Sequence, residues 1–63
     1  MSGAVRFKTM LRGVELDVEM ELVHGPNPAF TLAFHGRSID PTRKELAYLC
    51  REAARVSKER QLQ

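Results

Sequence analysis

The sequence predicts an α+β fold, a three-stranded antiparallel meander with one C-terminal helix packed on one face. Three observations predict it. Val14 to Val23 alternates apolar and acidic residues: Val14, Leu16, Val18, Met20 and Leu22 against Glu15, Asp17, Glu19 and Glu21. Two flanking stretches alternate in the same way, and their apolar residues can be set against those of the acidic stretch in one register. From Leu46 the spacing changes to intervals of three and four. A period of two marks a strand with one dry face, and a period near 3.6 marks an amphipathic helix.

The first strand spans about residues 4–11. Val5, Phe7, Thr9 and Leu11 lie on one side, with Arg6, Lys8 and Met10 on the other. Arg12-Gly13 separates it from the acidic strand, 14–23. Two hairpin loops keep the apolar faces together. A two-residue loop sets Val5 opposite Met20 and Phe7 opposite Val18, whereas a four-residue loop sets Val5 opposite Val18 and Phe7 opposite Leu16. A three-residue loop mixes the faces and is rejected. Arg is a poor residue for positive φ, which favours the four-residue loop. In either register Arg6 and Lys8 oppose carboxylates of the acidic strand.

His24-Gly25-Pro26-Asn27-Pro28 cannot continue a strand and reads as a turn. The third strand, about 29–35, then places Phe30, Leu32 and Phe34 opposite Leu22, Met20 and Val18 on the face expected to be buried. The acidic strand is therefore the central one. Gly36-Arg37-Ser38 ends the third strand, and Asp40-Pro41 reads as N-cap and first helical residue. The helix is expected over about 41–58, with Leu46, Leu49, Cys50, Ala53 and Val56 on its apolar stripe and a frayed tail at 59–63.

With 63 residues the chain is expected to form a single small domain, 1–63. Such a chain buries only about 60% of its unfolded surface, so packing or self-association must supply stability. One cysteine, Cys50, cannot form an internal disulfide, and His24 and His35 with Cys50 do not make the four ligands of a structural zinc site. No cofactor and no metal are expected. The sequence holds no signal-peptide-like run and no apolar stretch near twenty residues, which together with the lone cysteine gives the expectation of a cytoplasmic protein without a membrane partner.

The net charge of +2 is too weak to indicate a partner, but its distribution is uneven. On a helical wheel Lys44, Arg51, Arg55 and Lys58 share one sector, with Arg43 at its edge and Tyr48 between this stripe and the acids Glu45, Glu52 and Glu59. These six, Arg43, Lys44, Tyr48, Arg51, Arg55 and Lys58, form the candidate binding surface. The cations could follow a phosphate backbone, or form an ordinary solvated face. The carboxylate row of the central strand could meet a basic partner, or keep a small sheet soluble and in register. It will not lie in a nucleic-acid groove. If Val23, Ala29 and Ala33 cluster on the outer face, they could form a partner or dimer surface. No nucleophile–base set, phosphate loop or ligand spacing is present, so no enzyme is expected.

The topology resembles the closing half of double-stranded RNA-binding domains, with Arg43-Lys44 near the basic start of their last helix; no family is assigned on topology alone. The expected function is a small non-catalytic protein-binding module, such as a regulator, adaptor or inhibitor, of a type common in phages and mobile elements. Another protein is the expected partner, a homodimer is an open arrangement, and nucleic-acid binding through the basic helix stripe is the alternative.

Overall fold

The computed structural model describes residues 3–23, 25–27 and 29–61, apart from the side chains of Leu22 and Gln61. The elements are β1 (Gly3–Leu11), β2 (Val14–Val23), β3 (Ala29–His35) and α1 (Arg43–Gln61). The strands form one antiparallel sheet in the order β1-β2-β3, and the C-terminal helix covers one face, as the alternation predicts. The expected burial of Leu22 and the surface position of His24 lie outside the described residues.

The β1–β2 hairpin closes in two residues, not four. Arg12 has φ 55° and Gly13 has φ 73°, the doubly left-handed conformation of a tight hairpin turn. Val5 therefore opposes Met20, Phe7 opposes Val18 and Arg6 opposes Glu19. The four-residue loop fails because Arg12 does adopt positive φ. Its guanidinium donates to Glu45 and to the Asp40 carbonyl, contacts far away in the sequence that hold it there. The β2–β3 register is the expected one, with Leu22, Met20 and Val18 opposite Phe30, Leu32 and Phe34.

The helix begins at Arg43 rather than Pro41, and Thr42 replaces Asp40 as its cap. The Thr42 N–H donates to Glu45 Oε1 at 2.8 Å, and the Glu45 N–H donates to Thr42 Oγ1 at 3.2 Å. This reciprocal box satisfies two otherwise unpartnered donors, which a cap at Asp40 would not. At the other end the helix continues through Glu59 and Arg60, which were expected to fray. Arg55 Nη1 donates to Glu59 Oε1 at 2.9 Å, and Arg60 Nη2 donates to the Arg6 carbonyl at 3.0 Å, so the last turn is tied to both helix and sheet.

Phe7, Leu16, Val18, Met20, Leu49 and Ala53 form the buried core. Each large apolar side chain removed from water contributes about 1.5–3 kcal/mol. Leu16, Val18 and Leu49 have no exposure at all. The helix packs toward β1: Tyr48 reaches Thr9, Glu45 reaches Arg12, and Arg60 reaches Arg6. This offset corrects the expectation for β3. Leu32 and Phe34 are only partly buried and Phe30 is 42% exposed, because the helix does not lie over that edge.

Candidate functional site

The expected helix surface divides in two. Arg43, Lys44, Arg51 and Lys58 are exposed and carry no ion pair among the described residues. Lys44, Arg51 and Lys58 are seven residues apart, which aligns them along the outer face, with the small exposed residues Ala47 and Ala54 between. Arg55 does not belong to this row. Its guanidinium donates to Glu52 at 3.1 and 3.3 Å and to Glu59 at 2.9 Å. Those bonds raise its pKa, and the Arg55 bond holds the Glu52 carboxyl below its usual range. The separation of basic and acidic stripes seen on the wheel is therefore closed at Arg55.

Tyr48 is drawn toward the core. It is partly buried against the core, and its hydroxyl shares a 2.7 Å hydrogen bond with the buried Thr9 hydroxyl. Its place between the two stripes left open a surface contact or cover for the rim of the core, and the helix's offset toward β1 puts Thr9 beneath it.

On the outer face of the sheet the carboxylate row is partly neutralised, with different partners from those directly opposite. Arg6 turns diagonally to Asp17, with Nε to Oδ1 at 3.0 Å and Nη2 to Oδ2 at 2.9 Å. This hydrogen bonding is the main cause of a lowered Asp17 pKa. Glu19, left by Arg6, lies 2.7 Å from His35 Nε2 across the sheet. Val23 and Ala29 face each other beside the β2–β3 turn, while Ala33 lies opposite Glu19, so the proposed outer apolar set is split.

The strongest unpartnered feature is the free edge of β3, one of the two strands that the alternation already places at the ends of the meander. In a two-residue hairpin the closing pair, here Leu11 and Val14, exchanges both hydrogen bonds, and bonded and non-bonded pairs then alternate. The even residues of β2 thus bond β1 and the odd residues bond β3. By the observed register, the peptide groups of Phe30, Leu32 and Phe34 point away from the sheet. The two edges differ sharply. On β1 the outward groups belong to Ala4, Arg6, Lys8 and Met10, with two cations on the strand and Arg60 bonded to the Arg6 carbonyl. From Ala29 to Phe34, β3 carries no charge and no proline. Strand edges are normally blunted by such residues, so β3 is the open one. The free Cys50 is partly buried on the helix, and no described helix is long and apolar enough to cross a membrane.

A comparison of the chain with protein-family models, with curated proteins and with solved structures finds no match.

Proposed function

We propose that this chain is a small non-catalytic protein-binding module, a regulator, adaptor or inhibitor, that engages its partner through β3. One observation carries the reading: an edge strand that is uncharged from Ala29 to Phe34, whose alternate peptide groups face outward and whose apolar side chains are incompletely covered. Strand addition would satisfy the peptide groups, and the partner's side chains would cover Phe30, Leu32 and Phe34. The test is capture with tagged protein after nuclease treatment, with a second, differently tagged copy of the chain co-expressed. Wild type and a Lys44→Glu/Arg51→Glu/Lys58→Glu variant should retain the same protein partner, and Phe30→Lys should lose it. Capture unaffected by Phe30→Lys overturns the reading.

A second reading, nucleic-acid binding, draws on Arg43, Lys44, Arg51 and Lys58 as an exposed row without ion pairs among the described residues. It requires affinity for duplex DNA or RNA that falls steeply with salt and is lost in the triple Glu variant. Undetectable binding at low salt rejects it.

A further inference from the structure

We propose that the occupant of the β3 edge is a second copy of this chain, paired antiparallel through β3 about a two-fold axis at Leu32. This rests on reading β3 as the working edge and names its partner.

The strand is its own complement. Phe30-Thr31-Leu32-Ala33-Phe34 reads as aromatic, small, leucine, small, aromatic in both directions. An antiparallel pair centred on Leu32 sets Phe30 of one copy against Phe34 of the other, Thr31 against Ala33, and Leu32 against itself. A two-fold interface requires such self-complementarity. The outward peptide groups belong to residues 30, 32 and 34, so each of these facing pairs exchanges both of its hydrogen bonds. Register and side-chain symmetry agree on the same centre.

Charge selects the same edge. Pairing β1 with its own copy brings together strands that each carry Arg6 and Lys8, and displaces Arg60 from the Arg6 carbonyl. Pairing β3 with its copy brings no like charges together between Ala29 and Phe34. Sterics permit it, because the helix lies toward β1 and leaves β3 clear. With the two-fold perpendicular to the sheet, the two three-stranded sheets become continuous and both helices lie on one face. Phe30, Leu32 and Phe34 of both copies then line the floor between them. No β3 side chain is fully buried within one chain, and this arrangement supplies the missing cover. A 63-residue domain gains the stability that its own core supplies only narrowly.

The experiment is sedimentation equilibrium from roughly 1 µM to 1 mM, a range that brackets the affinity expected of a small interface. It is combined with isotope-filtered NMR on a mixture of labelled and unlabelled chains. The mass should rise from 7.2 kDa toward twice that value. Intermolecular contacts should join the Thr31 Hα of one copy to the Ala33 Hα of the other, the close pair on either side of Leu32. Phe30→Lys should weaken the dimer at least tenfold while Lys44→Glu leaves it unchanged, and circular dichroism should report both as folded. If Phe30→Lys does not fold, the intermolecular contacts of the wild type decide alone. A mass of 7.2 kDa throughout, or a dimer with contacts elsewhere, overturns the second copy as occupant. In that event a different protein captured in a Phe30-dependent way leaves the β3 reading standing, and capture independent of Phe30 removes both.

Discussion

Arg12 on the β1–β2 turn holds Glu45 on the first turn of α1 with two hydrogen bonds, Nε to Oε2 at 2.8 Å and Nη2 to Oε1 at 2.6 Å. The same carboxylate accepts the Thr42 N–H, and Arg12 Nη2 also reaches the Asp40 carbonyl at 3.1 Å. One carboxylate thus caps the helix and fixes the hairpin, joining two elements far apart in the chain. Bidentate pairing of this kind has a defined geometry as well as favourable charge. It keeps a non-glycine residue in the left-handed conformation that the turn demands.

The two roles of Arg12 can be separated. Arg12→Ala loses the pair and keeps the cost of a left-handed backbone, whereas Arg12→Gly loses the pair and relieves that cost. The glycine variant should melt higher than the alanine variant, by on the order of 5 °C for a domain of this size. Thermal denaturation measures it, and equal melting temperatures would mean that the turn is not left-handed at Arg12.

Acid should loosen the same junction. The Glu45 carboxyl is held at about 2 against its ordinary 4.5, chiefly by the Arg12 hydrogen bonds and then by the Thr42 N–H. A depressed carboxyl contributes its full stability above its unfolded value and loses it as pH falls through the folded value. Melting temperature should therefore fall between pH about 4.5 and about 2, with Asp17 and Glu52 acting in the same direction. In Glu45→Gln the decline should be shallower, and the two curves should converge near pH 2.

The Tyr48–Thr9 bond predicts a non-additive pair. Tyr48→Phe leaves the Thr9 hydroxyl, 7% exposed, without its partner and should cost about 1 kcal/mol in a urea titration. Adding Thr9→Val removes the stranded hydroxyl and should recover part of that loss. If the double variant equals the sum of the singles, the two hydroxyls are not coupled.

Face assignment can be checked by two contrasting substitutions on β2. Val18 has no exposure, so Val18→Asp places an unpaired charge in the core, a cost of several kcal/mol against a total stability of roughly 3–9 kcal/mol. Cooperative unfolding should disappear. Glu19→Gln on the outer face should retain it. Leu49→Ala, at the helix side of the same core, should cost about 2–5 kcal/mol.

The sequence by itself determined the element order, the antiparallel topology, the β2–β3 register and the face of each strand that turns toward the helix. These follow from periodicity, which acts locally and survives any error in loop geometry. The capping box was written in Thr42 and Glu45, but Asp40-Pro41 offered a competing local signal, and only the carboxylate's bonds to Thr42 and Arg12 decide between them. The hairpin register was narrowed to two, and the choice between them went astray because the propensity of Arg12 opposes the conformation that it adopts. The candidate surface was legible only as a list of five cations and Tyr48. Tertiary structure distinguishes Arg55 and Tyr48 from the rest, one by ion pairing along the helix and the other by packing on Thr9. It also exposed β3, since a stripe pattern states which face of a strand is apolar but not where a single helix comes to rest on that face. The helix rests toward β1, where Arg12, Thr9 and the Arg6 carbonyl bind it, and that offset leaves Phe30, Leu32 and Phe34 as the open edge.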